Sequence, residues 1–281
     1  LDNRHINFSC VSSAPHTTDM LNGRRGGNRQ DFENFLKLTQ MVNVAHGTAG
    51  YPVEPIDIDV PVRHLHATRA TVTLTDKTFR LYNHNRQRTL DVLEMARIVH
   101  GLSAEAFQET PCVFASINPN SPREYDESML WGMIECALAG QVLMISPFIL
   151  AGAMAPSSLA GALTQQNAEA LAGIAFCQMV RAGTPVAYGG FVSNADMKSG
   201  APAFGTPEHV KTTLVIGQMA RHYGLPYRAA NANASNAVDA QAAYESQMCL
   251  WACLVSGATY VYHGLGWLEG GLSASIEKFI V

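Results

Sequence analysis

The chain has 281 residues, enough for one large domain or two ordinary ones, and 47% of them are hydrophobic against 15% charged. A charged share that far below the roughly 25% of an average soluble domain excludes an intrinsically disordered chain. The 19 lysines and arginines against 23 aspartates and glutamates give a formal charge of -4, and no basic run follows a phosphate backbone, which argues against nucleic acid as a partner.

Apolar stretches such as 142–154 fall short of the about 20 residues that cross a bilayer, and Ser146, Pro147 and Gly152 interrupt that one, so no membrane span is expected. The six cysteines are Cys10, Cys112, Cys136, Cys177, Cys249 and Cys253, with no C-x-x-C pair among them. That spacing fits reduced thiols in a cytoplasmic protein better than a disulfide or structural zinc framework. With Leu1 at one end and a half-formed helical pattern over 275–281 at the other, the chain reads as a piece of a longer one.

Short apolar runs, polar Gly/Asn/Ser clusters and long amphipathic stretches follow one another along the whole chain, which is the sequence form of β/α units. In chain order, strands are expected at 6–12, 56–60, 79–83, 112–117, 142–146, 185–192, 226–230 and 259–263. The intervening helices are expected at 29–45, 62–74, 89–100, 123–139, 157–181, 207–223 and 239–256. Thr206-Pro207-Glu208 supplies an N-cap, a proline for the first turn and a carboxylate for the positive helix end. Eight strands alternating with helices fit a single closed (β/α)8 TIM barrel over 1–281 better than an open doubly wound sheet.

Such barrels carry their sites where the strands end, so the residues just past each strand are the candidates. After the third strand stand Tyr82 and His84, and after the fourth Asn118. The sixth strand brings Tyr188 and Phe191, followed by Asp196 and Lys198. The seventh leads into Asn231 and Asn233, and the eighth into Tyr262, His263, Trp267 and Glu269. Asn and Asp also serve turns and caps, and aromatic rings also fill cores, so each of these residue types has a purely structural use.

Metal binding is not expected. His64 and His66 share a face only in a strand, and the segment reads as a helix. Cys249 and Cys253 share a helix face without a His or acidic partner at ligand spacing. Two further chemistries compete for the barrel. Gly264-Leu265-Gly266 and Gly270-Gly271 would suit a phosphate cradle, although no Lys or Arg lies within that loop, and Lys198 would suit a Schiff base on a carbonyl substrate.

The segments YGGFVSNADMKSGAPAFGTPE (188–208), GLPYRAANANASNAVDAQAAYES (224–246) and GLSASIEKFIV (271–281), with GRRGGNRQDF at 23–32, resemble the trimethylamine methyltransferase family. The resemblance runs across nearly the whole chain. It implies a (β/α)8 barrel, a small methylated-amine substrate and a corrinoid (cobalamin) carried by a partner protein and not bound permanently. Archaeal trimethylamine enzymes of this family use pyrrolysine; none is visible here, whereas members without it include glycine betaine methyltransferases. Glycine betaine or a close relative is therefore the expected substrate, and a homo-oligomer is expected. A trimethylammonium head has no N–H to donate, so an aromatic cage drawn from Tyr188, Phe191, Tyr262 and Trp267 would hold it. Asp196 or Glu269 would lie near the cation, while His263 and the asparagines would take a substrate carboxylate. A non-catalytic betaine-binding subunit is the remaining alternative.

Overall fold

Parallel strands that are apolar on both faces need cover on both sides, and this chain supplies it by returning through a helix after each strand. The computed structural model describes residues 5–281. The strands are β1 (Asn7–Cys10), β2 (Gly47–Thr48), β3 (Thr78–Phe79), β4 (Phe114–Ile117), β5 (Val142–Ile145), β6 (Val186–Gly189), β7 (Tyr227–Ala230) and β8 (Tyr260–Leu265). The helices are α1 (Arg29–Met41), α2 (Val60–Leu74), α3 (Arg86–Val99), α4 (Glu127–Leu138), α5 (Leu159–Val180), α6 (Pro207–His222), α7 (Ala240–Val255) and α8 (Ile276–Ile280), each following the strand of the same number. A short helix, Ala104–Glu109, precedes β4.

Every strand pairs in parallel with its neighbours, and β8 pairs with both β1 and β7. The ring closes where Arg80, just past β3, bridges in parallel to Phe114 on β4. The Leu81 amide donates to the Phe114 carbonyl there at 2.7 Å. The protein is therefore a (β/α)8 barrel. Thr206 accepts the His209 amide as the α6 N-cap, with Pro207 in the first turn, as the T-P-E sequence predicts.

One expected strand is wrong. The alternation Ile56-Asp57-Ile58-Asp59-Val60 imitates a half-buried strand, but it is a helix approach. The Asp57 carboxylate accepts the Arg29 amide at 2.7 Å, Asp59 precedes α2, and Pro61 occupies its first turn. The second strand is instead the two-residue Gly47–Thr48. It carries no hydrophobic signal because Gly47 sits against the Thr78 backbone with no room for a side chain.

Two small sheets stand on the C-terminal end of the barrel. Past a break at Ser146-Pro147, the chain leaving β5 forms Phe148–Ala151, which pairs in parallel with Phe191–Ala195 beyond β6. The chain after β1 forms a hairpin, His16–Asp19 with Gly23–Gly26. That hairpin pairs with Ser273–Ser275, which in turn pairs with Trp267–Leu268 after β8.

The two-residue period decides what enters the barrel. On β7, Tyr227 and Ala229 face the helices and pack with Val261, Ile216 and Cys253, which leaves Arg228 and Ala230 inside. On β8, Tyr260 and Tyr262 join the inner cluster with Phe114 and Met144.

Helix α4 meets the chain after β3 at Gly132, where a Cβ would collide with the Asn83 carbonyl. Gly132→Ala must push the helix off the barrel. Overpacking of this kind costs about 1–3 kcal/mol, so the urea midpoint of the variant is expected to fall accordingly.

Candidate functional site

A cavity of about 360 Å³ opens at the C-terminal end of the barrel. Its floor is cationic. Arg228 is fully enclosed, its guanidinium carbon lies 3.9 Å from the Tyr262 ring centre, and Nη1 donates to Ser146 Oγ at 3.0 Å. Arg80 donates Nη1 to the Ala49 carbonyl at 3.3 Å and Nη2 to Asn83 Oδ1 at 3.4 Å. The Nε of each arginine is buried and has no hydrogen-bond partner among the described residues. No aspartate or glutamate lines this cavity.

The walls are aromatic. Phe148, Phe191, Tyr262 and Trp267 line the cavity; Phe148 and Phe191 stack at 5.3 Å, and Phe204, behind them, meets Phe191 edge-on at 5.2 Å and Trp267 edge-on at 6.1 Å. Trp267 donates its indole N–H to the Asn233 carbonyl at 3.1 Å, which fixes the plane of the ring. His263 lies edge-to-face with Trp267, 4.0 Å between ring centres, and its backbone is held in the left-handed region at φ 57°. Burial, then Arg228 and Arg80, push the His263 pKa well below 6.5, so the ring is neutral.

The expected site residues divide by location. Phe191, Tyr262, His263, Trp267, His84 and Asn118 line the cavity together. Tyr82 lines a smaller recess that shares Arg80 and His84 with it, and stacks on Tyr51 at 5.7 Å. Tyr188 points the other way, out of the barrel, and donates its hydroxyl to Asn167 Oδ1 on α5 at 2.8 Å. Asn231 and Asn233 are buried behind the cavity, both bonded to Ser246 on α7. Asp196 sits on an exposed turn, where Ser199 Oγ and the Lys198 and Ser199 amides hold its carboxyl below the usual range. Glu269 neighbours the cavity loop but pairs with Arg24 at 2.8 Å.

The competing chemistries find little support in the same geometry. The amides of Gly266, Glu269 and Gly270 donate to Lys278, Ser235 and Asn233 carbonyls, so they are not offered to a phosphate. Lys198 lies on the exposed turn with Asp196, outside the barrel. His64 lies on α2, where Nε2 meets Asp91 at 2.9 Å.

Sequence reasoning missed Arg80, Arg228, Phe148 and Ser116. The signal for Arg228 was present, since an arginine between Tyr227 and Ala229 in an apolar strand must face inward if its neighbours face outward.

The family model described as trimethylamine methyltransferase (MTTB) matches residues 1–281. The chain belongs to this trimethylamine methyltransferase family. Among its relatives, a glycine betaine methyltransferase from Desulfitobacterium hafniense (strain Y51) is 39% identical over 99% of this chain and 58% of the relative. A trimethylamine methyltransferase from D. hafniense (strain DCB-2) is 30% identical over 82% of this chain and 46% of its own length. A proline betaine:corrinoid methyltransferase from Eubacterium limosum is 25% identical over 92% and 54%. The chain thus spans about half the length of the curated relatives it matches. Among solved structures, the barrel is similar to DHPS from Yersinia pestis, with TM-score 0.54, 10% identity and coverage of 97% of this chain and 90% of that one. That likeness concerns the fold alone. Among the described residues, no helix is long and apolar enough to cross a membrane.

This family member encloses His209 fully and His263 and His84 in part, and their pKa values are held below the ordinary 6.5 chiefly by the loss of hydration. The unfolded chain takes up protons that the folded one refuses, so stability is complete above the unfolded pKa and falls as pH drops through it. Urea midpoints are expected to decline as pH falls from about 7.5 to about 5.5, and His263→Asn is expected to show a smaller decline.

Proposed function

We propose that this barrel binds a betaine, a quaternary ammonium that also carries a carboxylate, with glycine betaine or a close relative as the substrate. It passes one N-methyl group to the Co(I) of a corrinoid carried by a separate protein. The observation that carries this reading is the pairing, in one cavity, of two arginines, Arg228 buried and Arg80 half-buried, neither in an ion pair among the described residues, with the rings of Phe148, Phe191, Tyr262 and Trp267. A carboxylate meets the two arginines that line the cavity by charge-assisted hydrogen bonds. The trimethylammonium head has no donor of its own and is held by the faces of Trp267, Phe148 and Phe191.

The charge distribution suits the transfer as well as the binding. As the N–CH3 bond breaks, its electron pair stays on nitrogen and the product amine is neutral, while the new carbon–cobalt bond takes the electron pair of Co(I). A carboxylate beside nitrogen would favour the cationic ground state over the transition state. Two arginines and a neutral His263 do the opposite, because their repulsion of the cation is relieved as nitrogen loses its charge. The leaving group is a neutral tertiary amine, so the reading needs no pyrrolysine. We place the protein in the cytoplasm, as a homo-oligomer, where its unpaired cysteines stay reduced.

Incubation with Co(I) cobalamin and a panel of methylated amines tests the reading. Glycine betaine is expected to yield methylcobalamin, read by its spectrum, and trimethylamine is expected to yield none; the reverse result would overturn the proposal. Cation–π contacts to a desolvated cation are worth roughly 2 kcal/mol, so Trp267→Ala is expected to weaken betaine binding about thirtyfold by calorimetry. Loss of a charged hydrogen bond costs about 1.5–3 kcal/mol, so Arg228→Met is expected to weaken betaine binding by roughly 10- to 100-fold.

A further inference from the structure

We propose that Glu245 on α7 is a positioning residue for the cation-binding wall, setting the orientation of Trp267 through the loop after β7. The role of Trp267 as a binding ring rests on the betaine reading; its positioning by Glu245 does not.

Glu245 is nearly fully buried, and no Lys, Arg or His pairs with it among the described residues. A lone carboxylate in that setting is costly unless its charge is taken up by hydrogen bonds. Its Oε2 accepts the backbone amides of Ala234 at 2.9 Å and Ser235 at 3.1 Å, and Oε1 accepts Gln241 Nε2 at 2.8 Å. The charge is therefore spent on holding one short stretch of backbone.

That stretch is the platform for Trp267. The Asn233 carbonyl accepts both the Trp267 indole N–H, at 3.1 Å, and the Gly270 amide, at 2.9 Å. The Ser235 carbonyl accepts the Glu269 amide at 2.9 Å. Glu269, Gly270 and Gly271 are consecutive residues in the left-handed region, with φ of 53°, 62° and 91°, and a Cβ on Gly271 would press into the Trp267 ring. A loop bent in that way has few alternatives once its two amides are tied down. The methylene stem of Glu245 also packs under Gly205, where any side chain would collide with it, and the adjacent Phe204 meets Trp267 edge-on. One side chain thus supports both the platform under Trp267 and the loop whose Phe204 packs against that ring.

Three tryptophans are present, Trp131, Trp251 and Trp267, so the indole N–H region of a nitrogen-15 correlation spectrum resolves each one. Glu245→Met keeps the volume and removes the acceptors. It is expected to move the Trp267 indole signal and speed its hydrogen exchange while the other two stay in place. Glu245→Gln keeps an acceptor for the two amides and, with the Gln241 amide turned over, a donor for its Oε1. It is expected to restore the wild-type signal. If Glu245→Met fails to fold, Glu245→Ala gives the same comparison. In calorimetry with glycine betaine, Glu245→Met is expected to raise Kd about tenfold in the wild-type background and not at all on top of Trp267→Ala. An unshifted Trp267 indole in a folded Glu245→Met protein, or equal effects in both backgrounds, would overturn the proposal. Absence of any betaine binding by the wild type would instead sink the substrate reading and leave the indole result to stand.

Discussion

Two guanidinium groups inside the mouth of a parallel barrel form the constraint around which the rest of this site is arranged. Arg80 and Arg228 are brought together because β3 and β7 each turn an arginine inward while their apolar neighbours, Phe79 and Leu81, or Tyr227 and Ala229, cover the outer helices. Burying Arg228 and half-burying Arg80 beside it is costly, and the barrel offsets the cost only in part, through Ser146, Ala49, Asn83 and the face of Tyr262. Both arginines line the cavity. On the proposed reading, an anionic group between them relieves both the desolvation and the mutual repulsion.

The same two charges add to burial, the larger cause, in lowering the His263 pKa. Its ring is enclosed, and both arginines oppose its protonation. A neutral imidazole in contact with Trp267 adds polarity without adding a third cation, so the region between the arginines and the aromatic wall grades from strongly positive to neutral within one cavity. On the proposed reading, a zwitterion with separated charges matches that gradient better than a simple amine does.

Much of this was legible in the amino-acid sequence, and the failures have physical causes. The eight-fold alternation and the strand-end rule locate the mouth, and of the residues they select after the eighth strand, Tyr262, His263 and Trp267 line it. Tyr188 was misplaced because a strand end does not say which face a residue takes; its hydroxyl bonds to α5 instead. Asp196 was attractive as an acid, yet its carboxylate closes its own turn on Ser199. Asn231 and Asn233 drew attention as polar residues at a strand end. Their side chains hold Ser246, and the contact that reaches the site is the Asn233 main-chain carbonyl under Trp267, which no residue-type argument foresees. The expected strand at 56–60 failed because an apolar–acidic alternation looks the same before a helix N-terminus as in a strand.

Depth in the barrel orients the substrate on the proposed reading. Arg228 pairs in register with Tyr260, and Ala230 with Tyr262, so the Arg228 backbone lies one inward-facing layer below that of Tyr262. Trp267 lies beyond the end of β8, in the outer sheet, and Phe148 and Phe191 lie in the strands that continue past β5 and β6. Arg228 is therefore rooted within the barrel, whereas the rings stand on the segments that extend past its mouth. A betaine placed with its carboxylate on the arginines directs its trimethylammonium toward the opening. A corrinoid is far larger than a cavity of about 360 Å³, so the methyl acceptor has to approach from outside, and only this orientation sets a methyl carbon in line with it. The reverse orientation would bury the methyl groups against the arginines, where the cation is repelled and the acceptor does not reach.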